Sequence, residues 1–101
     1  MPDTINLATP PGTWCLYLIE CRDGSYYAGI TNDLAARYQA HVDGKGARYT
    51  RSHPPLRLIG SRLFENRSAA SRAEWEIKRL PKHRKIGYLT APETGEAATP
   101  V

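Results

Sequence analysis

The apolar and polar positions along the chain divide it into short elements between two polar ends. Trp14-Cys15-Leu16-Tyr17-Leu18-Ile19 is an apolar run that closes at Glu20-Cys21. A run of this length, rich in aromatic and aliphatic side chains, predicts a central strand covered on both faces. Asp23-Gly24 follows, a strong hairpin signal, and Ser25–Ile30 then reads as a second strand. Thr31, Asn32 or Asp33 can cap a helix running to about Val42, with Leu34, Tyr38 and Val42 spaced by four on one row. Gly44 to His53 is a basic stretch with two glycines and one aromatic, expected as a loop. Pro54-Pro55 stops any helix there, and Leu56–Phe64 predicts a third strand. Ser68 is placed to cap a helix through Leu80, with Ala70, Ala73, Ile77 and Leu80 on one face. Pro81 ends that helix and can open a last short one, Lys82 to Leu89. There is no internal repeat, and the order ββαβαα with one hairpin argues for the α+β class.

The two ends have different character. Residues 1–12 are polar and Pro-rich and are expected as a flexible leader; residues 90–101 lack aromatics and periodicity and are expected as a flexible tail. The working domain is then 13–89, a core so small that Trp14, Trp75, Phe64 and the aliphatic side chains should all be used in it. No apolar run approaches the ~20 residues that span a bilayer, and the N-terminus lacks the pattern of a signal peptide. Cys15 and Cys21 fall in one predicted strand, roughly 20 Å apart along it. A disulfide needs Cα atoms within about 7 Å, so both are expected as free, buried thiols of a reducing compartment, the cytoplasm. The absence of a C-x-x-C pair argues against a Cys/His metal site.

Charge changes the picture more than composition does. The chain of 101 residues carries a formal net charge of +4, which hides a strong asymmetry. Residues 1–43 hold two basic and five acidic groups; residues 44–89 hold twelve basic groups against Glu65, Glu74 and Glu76; the tail adds Glu93 and Glu96. A basic block of this kind points to a polyanionic partner, with nucleic acid the leading candidate.

Three sets of residues could carry chemistry. Tyr17 and Tyr27 lie on the two arms of the predicted hairpin, where a suitable register would bring them together; plain strand packing is the ordinary alternative. Arg37 and His41 are four apart on the first helix, on a row distinct from Leu34, Tyr38 and Val42, so they are free to face something other than the core or simply solvent. Glu74 stands among Arg67, Arg72, Lys78 and Arg79, with Lys78 at i+4 as an ordinary salt-bridge partner.

Taken together, the residues resemble the GIY-YIG nuclease superfamily, and within it the small stand-alone bacterial YhbQ-like (UPF0213) branch. The resemblance rests on Leu16-Tyr17-Leu18, then Tyr27-Ala28-Gly29, then Arg37, His41 and a helical Glu74, and on the stretches CRDGSYYAGITNDLAARYQAH, GKGARYTR and SRAEWEIKRL. It covers about residues 14–89 and implies the GIY-YIG fold, a small three-stranded antiparallel sheet flanked by helices. The two triplets depart from the family name, but both tyrosines and the glycine are kept. Excinuclease-type and homing-endonuclease members carry a polar residue, usually Asn, some dozen residues beyond the glutamate. Here that region reads Lys85-Ile86-Gly87, so either Lys82 or Lys85 helps to hold the scissile strand or catalysis is weak or differently arranged.

The resemblance implies a metal-dependent endonuclease hydrolysing phosphodiester bonds, more readily DNA than RNA, in a DNA-repair setting. One divalent ion, Mg2+ or Mn2+, would be held by Glu74 and waters. Tyr17 matches the proposed general base or water-orienting tyrosine, and Tyr27 completes the cluster. Arg37 clamps the scissile phosphate, His41 relays or shares the proton, and Gly29 permits close approach. Lys45, Arg48, Arg51, Arg72, Lys78, Lys82 and Lys85 are expected as phosphate contacts, and Tyr49 either stacks on a base or packs under its own loop. No base-reading motif is evident, so selectivity is expected for structure rather than sequence, by a monomer, helped where needed by a targeting protein partner and without a membrane. The rival expectations are a nucleic-acid-binding module of the same fold with little or no cleavage, and a small adaptor acting through protein contacts.

Overall fold

The computed structural model describes residues 8–90; the remainder of the expected leader (1–7) and of the expected tail (91–101) lies outside the described residues. The apolar run forms β1 (Trp14–Cys21), which lies in the middle of a three-stranded sheet of order β2-β1-β3 and pairs antiparallel with both neighbours. A central strand must bury both of its faces, which is why its sequence from Trp14 to Ile19 is apolar and does not alternate. β2 (Tyr26–Thr31) returns from a turn in which Gly24 takes φ 89° and Asp23 Oδ1 accepts from the Ser25 amide and hydroxyl at 3.0 and 2.6 Å. β3 (Pro55–Phe64) pairs with register shifts at Leu18/Ile19 and Glu20/Cys21.

The alternation along β1 separates two cores. Cys15, Tyr17, Ile19 and Cys21 face one side, with Leu34, Leu58 and the partly buried Tyr27, Tyr38 and Tyr49. Leu16 and Leu18 face the other, against Ala28, Ala73, Ile77 and Leu89. Burying a leucine or isoleucine completely stabilises by about 1.5–3 kcal/mol, so the β1 side chains are the main thermodynamic anchor of both layers. The two cysteines are buried and free.

On the tyrosine face lie α1 (Leu34–Val42) and a short α2 (Arg48–Ser52). Of the three candidate caps, Asp33 is the N-cap of α1, accepting from the Ala36 amide at 3.2 Å. Thr31 Oγ1 accepts from the Asp33 amide, and Thr9 Oγ1 accepts from the Leu34 amide, each at 3.0 Å. The leader is therefore tied to the domain at Thr9. The expected apolar row on α1 is only half right: Leu34 is buried, whereas Val42 is 51% exposed and His41 takes the buried place at the end of the helix. α2 occupies the stretch expected as a loop.

The opposite face is covered by α3 (Arg67–Lys78) and α4 (Lys82–Thr90). Asn66, not Ser68, caps α3, its Oδ1 accepting from the Ala69 amide at 2.8 Å. The helix stops at Lys78, two residues short of Leu80, because Pro81 disfavours helical backbone at the residue before it. Ala70, Ala73 and Ile77 form its buried stripe. Trp75 does not join the core as expected: it is 60% exposed, because it lies about 200° around the helix from Ala73, and the Arg79 guanidinium covers its ring at 4.4 Å. Among the described residues, no helix is long and apolar enough to cross a membrane.

Candidate active site

The site begins on β1. Tyr17 pairs with Gly29, and Tyr27 pairs with Ile19, so the two tyrosines are diagonal neighbours on one face, with ring centroids 6.4 Å apart. A Cβ at Gly29 would lie 2.5 Å from the Tyr17 hydroxyl oxygen, so only glycine admits the Tyr17 ring at this point. α1 delivers His41 to the same pocket, 1% exposed, with its ring 5.7 Å from Tyr17 and 5.3 Å edge-on to Tyr27. Tyr17 Oη and His41 Nε2 are 2.8 Å apart, and His41 Nδ1 is 2.7 Å from Thr50 Oγ1 of α2. The Thr50 hydroxyl in turn donates to the Ala47 carbonyl at 3.0 Å. Tyr49, also on α2, stacks on Tyr27 at 5.8 Å and on His53 at 4.0 Å, so its ring is engaged within the protein.

Burial sets the protonation states. It pushes the Tyr17 hydroxyl up to about 12, against the pull of the Arg37 guanidinium beside it. Burial also pushes His41 down to about 4, and the positive charge of Arg37 adds to this. At neutral pH the pair is therefore an un-ionised phenol facing an uncharged imidazole, with half-buried Arg37 as the adjacent cation.

Tyr17, Tyr27, Arg37 and His41 are thus brought together on one face of the sheet. Glu74 stands in the other layer, on α3, which packs against both β1 and the edge strand β2. Its carboxylate is partly buried and ion-paired to Lys78 Nζ at 2.9 Å. Among the described residues, no group of three or more His, Cys, Asp or Glu side chains could hold a metal ion. A lone carboxylate still suits Mg2+, which keeps several waters and takes the rest of its ligands from a substrate phosphate.

The basic candidates divide by what they touch. Lys45, Arg48 and Arg51 are exposed on and beside α2, and Arg72 is exposed on α3. Lys78 is held by Glu74. Lys82 Nζ donates to the Gly24 carbonyl and lies over the Tyr26 ring at 4.6 Å, tying α4 to the hairpin turn. Lys85 Nζ donates to the Ile77 carbonyl at 2.7 Å, closing the end of α3. Two residues of the pocket escaped the sequence reading: Thr50, and Gly46, where a Cβ would collide with the His41 imidazole. Glycines in a basic stretch signal only a loop, and nothing about Thr50 marks it as a partner of a histidine nine positions earlier.

The small α+β fold and the buried tyrosine–histidine pocket go with a match to a nuclease-type family. The chain matches the GIY-YIG catalytic domain over residues 13–87, and it belongs to the GIY-YIG family. It is 57% identical over 81 residues to a UPF0213 protein of Xanthomonas campestris pv. campestris, covering 80% of this chain and 79% of the relative. It is also 43% identical over 70 residues to a UPF0213 protein of Halalkalibacterium halodurans, covering 69% and 74% of the two chains. A solution NMR structure of a UPF0213 protein from Bacillus halodurans superposes with a TM-score of 0.47 at 40% identity, covering 74% of this chain and 80% of that one.

Proposed function

We propose that the protein is a divalent-metal-dependent endonuclease that hydrolyses phosphodiester bonds in DNA, choosing its sites by structure rather than by sequence. The observation that carries this reading is the buried Tyr17–His41 contact with Arg37 beside it, on the face of the sheet opposite the layer of α3, which carries Glu74. Tyr17 and Tyr27 would orient the attacking water, and the planar fork of Arg37 would bind two oxygens of the scissile phosphate as negative charge builds there. Glu74 would hold one Mg2+ or Mn2+, which when bound supplies Lewis-acid stabilisation of the phosphate and leaving oxygen. Lys45, Arg48, Arg51 and Arg72 would contact flanking phosphates, which supply affinity without reading bases. The two free thiols support a reducing, cytoplasmic setting, and a repair substrate such as a flap or nick suits a monomer that reads backbone geometry.

One observation favours a second reading, a nucleic-acid-binding module of this fold that cleaves little: Lys78 already neutralises Glu74. A cleavage panel over duplex, single-stranded, flap and RNA substrates, with Mg2+ or Mn2+, separates the two. Hydrolysis is expected with metal, lost on Glu74→Ala and reduced about 10²–10³-fold on Arg37→Ala. Binding without metal-dependent cleavage in the unaltered protein would establish the second reading, and cleavage indifferent to Glu74→Ala would remove the metal assignment.

A further inference from the structure

The hydrogen bonds behind Tyr17 take their direction from the tyrosine end. The Tyr17 hydroxyl is buried and faces the Arg37 guanidinium, which can only donate, and His41 Nε2 at 2.8 Å, so its own proton is satisfied when Nε2 accepts it. A neutral imidazole carries one hydrogen, which then sits on Nδ1 and is donated to Thr50 Oγ1 at 2.7 Å. The Thr50 proton is left for the Ala47 carbonyl at 3.0 Å, which also accepts from the Arg51 amide. Thr50 itself is 2% exposed, so water cannot readily take its place. The groups around the ring are consistent with this assignment: burial keeps the Tyr17 phenol protonated and, with the charge of Arg37, leaves the resting imidazole uncharged.

We infer that Thr50 is a positioning residue that holds His41 in its Nδ1–H tautomer, so that Nε2 is the acceptor for the Tyr17 hydroxyl proton. For hydrolysis, this deepens the proposed function and rests on it. As the water oxygen bonds to phosphorus, its proton passes to Tyr17 Oη while the original Tyr17 proton passes to His41 Nε2. The P–O3′ bond breaks, its electron pair leaves with the 3′ oxygen, and the ring becomes an imidazolium still held at Nδ1–H by Thr50. The 3′ oxygen takes a proton from solvent, and the imidazolium returns its proton to solvent through Tyr17. With the tautomer reversed, Nε2–H would face the Tyr17 hydroxyl as a second donor and the relay would have no entry point.

The test is 15N NMR of the His41 ring in the full chain, run beside Thr50→Val and Thr50→Ser. The unaltered protein should show a protonated, pyrrole-type Nδ1 and a pyridine-type Nε2 at neutral pH. Thr50→Val should lose that preference, with at least a tenfold fall in kcat, and Thr50→Ser should restore both. An Nε2–H signature in the unaltered protein overturns the inference whether or not Thr50→Val folds. A folded Thr50→Val with the tautomer unchanged overturns it as well. If the protein shows the Nδ1–H tautomer but cleaves nothing, the tautomer assignment stands and the hydrolytic reading alone fails.

Discussion

His41 is as much the product of two glycines as of the helix that carries it. Gly29 leaves room for the Tyr17 ring, and Gly46 leaves room for the imidazole, so both partners of the 2.8 Å contact are seated against bare backbone. Replacing Gly46 with alanine drives a methyl group into the ring. The expected result is a loss of about 1–3 kcal/mol of stability, read by urea denaturation, together with a disturbed His41 ring resonance. A Gly46→Ala protein with unchanged stability and an unmoved ring would show that the backbone yields cheaply. At this scale the residue types of the site were legible. The five candidate positions Tyr17, Tyr27, Arg37, His41 and Glu74 were marked out by the resemblance of their order along the chain to the GIY-YIG family. Thr50 and Gly46 were not, because they matter only as the wall behind a side chain, and contact across a fold has no local signature.

At the scale of elements, strands and long helices followed their patterns, and errors fell where patterns are short or two signals compete. β1 was predicted with its full span because a doubly covered strand is apolar along nearly its whole length, with only Glu20 breaking the run. α2 has five residues, too few to show a helical period, and its two leading glycines read as loop. Asn66 displaced Ser68 as the cap of α3 because both residue types cap helices and only the chain path shows which one sits at the turn. Trp75 was assigned to the core by its size, although the stripe of Ala70, Ala73 and Ile77 already placed it on the far side. α4 supports a prediction of opposite sign to the one for Gly46. Gly87 lies inside the helix, and a Cβ there meets nothing within 4 Å. Gly87→Ala should therefore stabilise by about 0.5–1 kcal/mol, raising Tm by several degrees in a calorimetric scan. An unchanged or lower Tm would mean that this helix needs the flexibility of glycine.

For the molecule as a whole, the fold turns an uneven charge distribution into an arrangement of surfaces. The basic stretch between α1 and β3 puts exposed Lys45, Arg48 and Arg51 beside the tyrosine–histidine pocket, while Lys82 and Lys85 of the same block are used to fasten helices. Binding to DNA should therefore weaken steeply with salt. Arg51→Ala should lower the slope of log K against log [salt] by about one, whereas Lys85→Ala should act mainly on stability. Filter-binding titrations across a salt series would show this, and equal slope losses for both variants would place Lys85 in the interface after all. By itself, the sequence determined the order of elements, the apolar centre of the sheet, the basic character of the second half and the identity of the candidate site residues. The first three are written in local composition and periodicity, and the last in the resemblance of the residue pattern to the GIY-YIG family. Only the tertiary structure decided which side of the sheet each residue serves, which cations are left over for a ligand and which way the hydrogen bonds run at His41. Those depend on groups distant in sequence competing for the same partner, and the competition is settled only when the chain closes on itself.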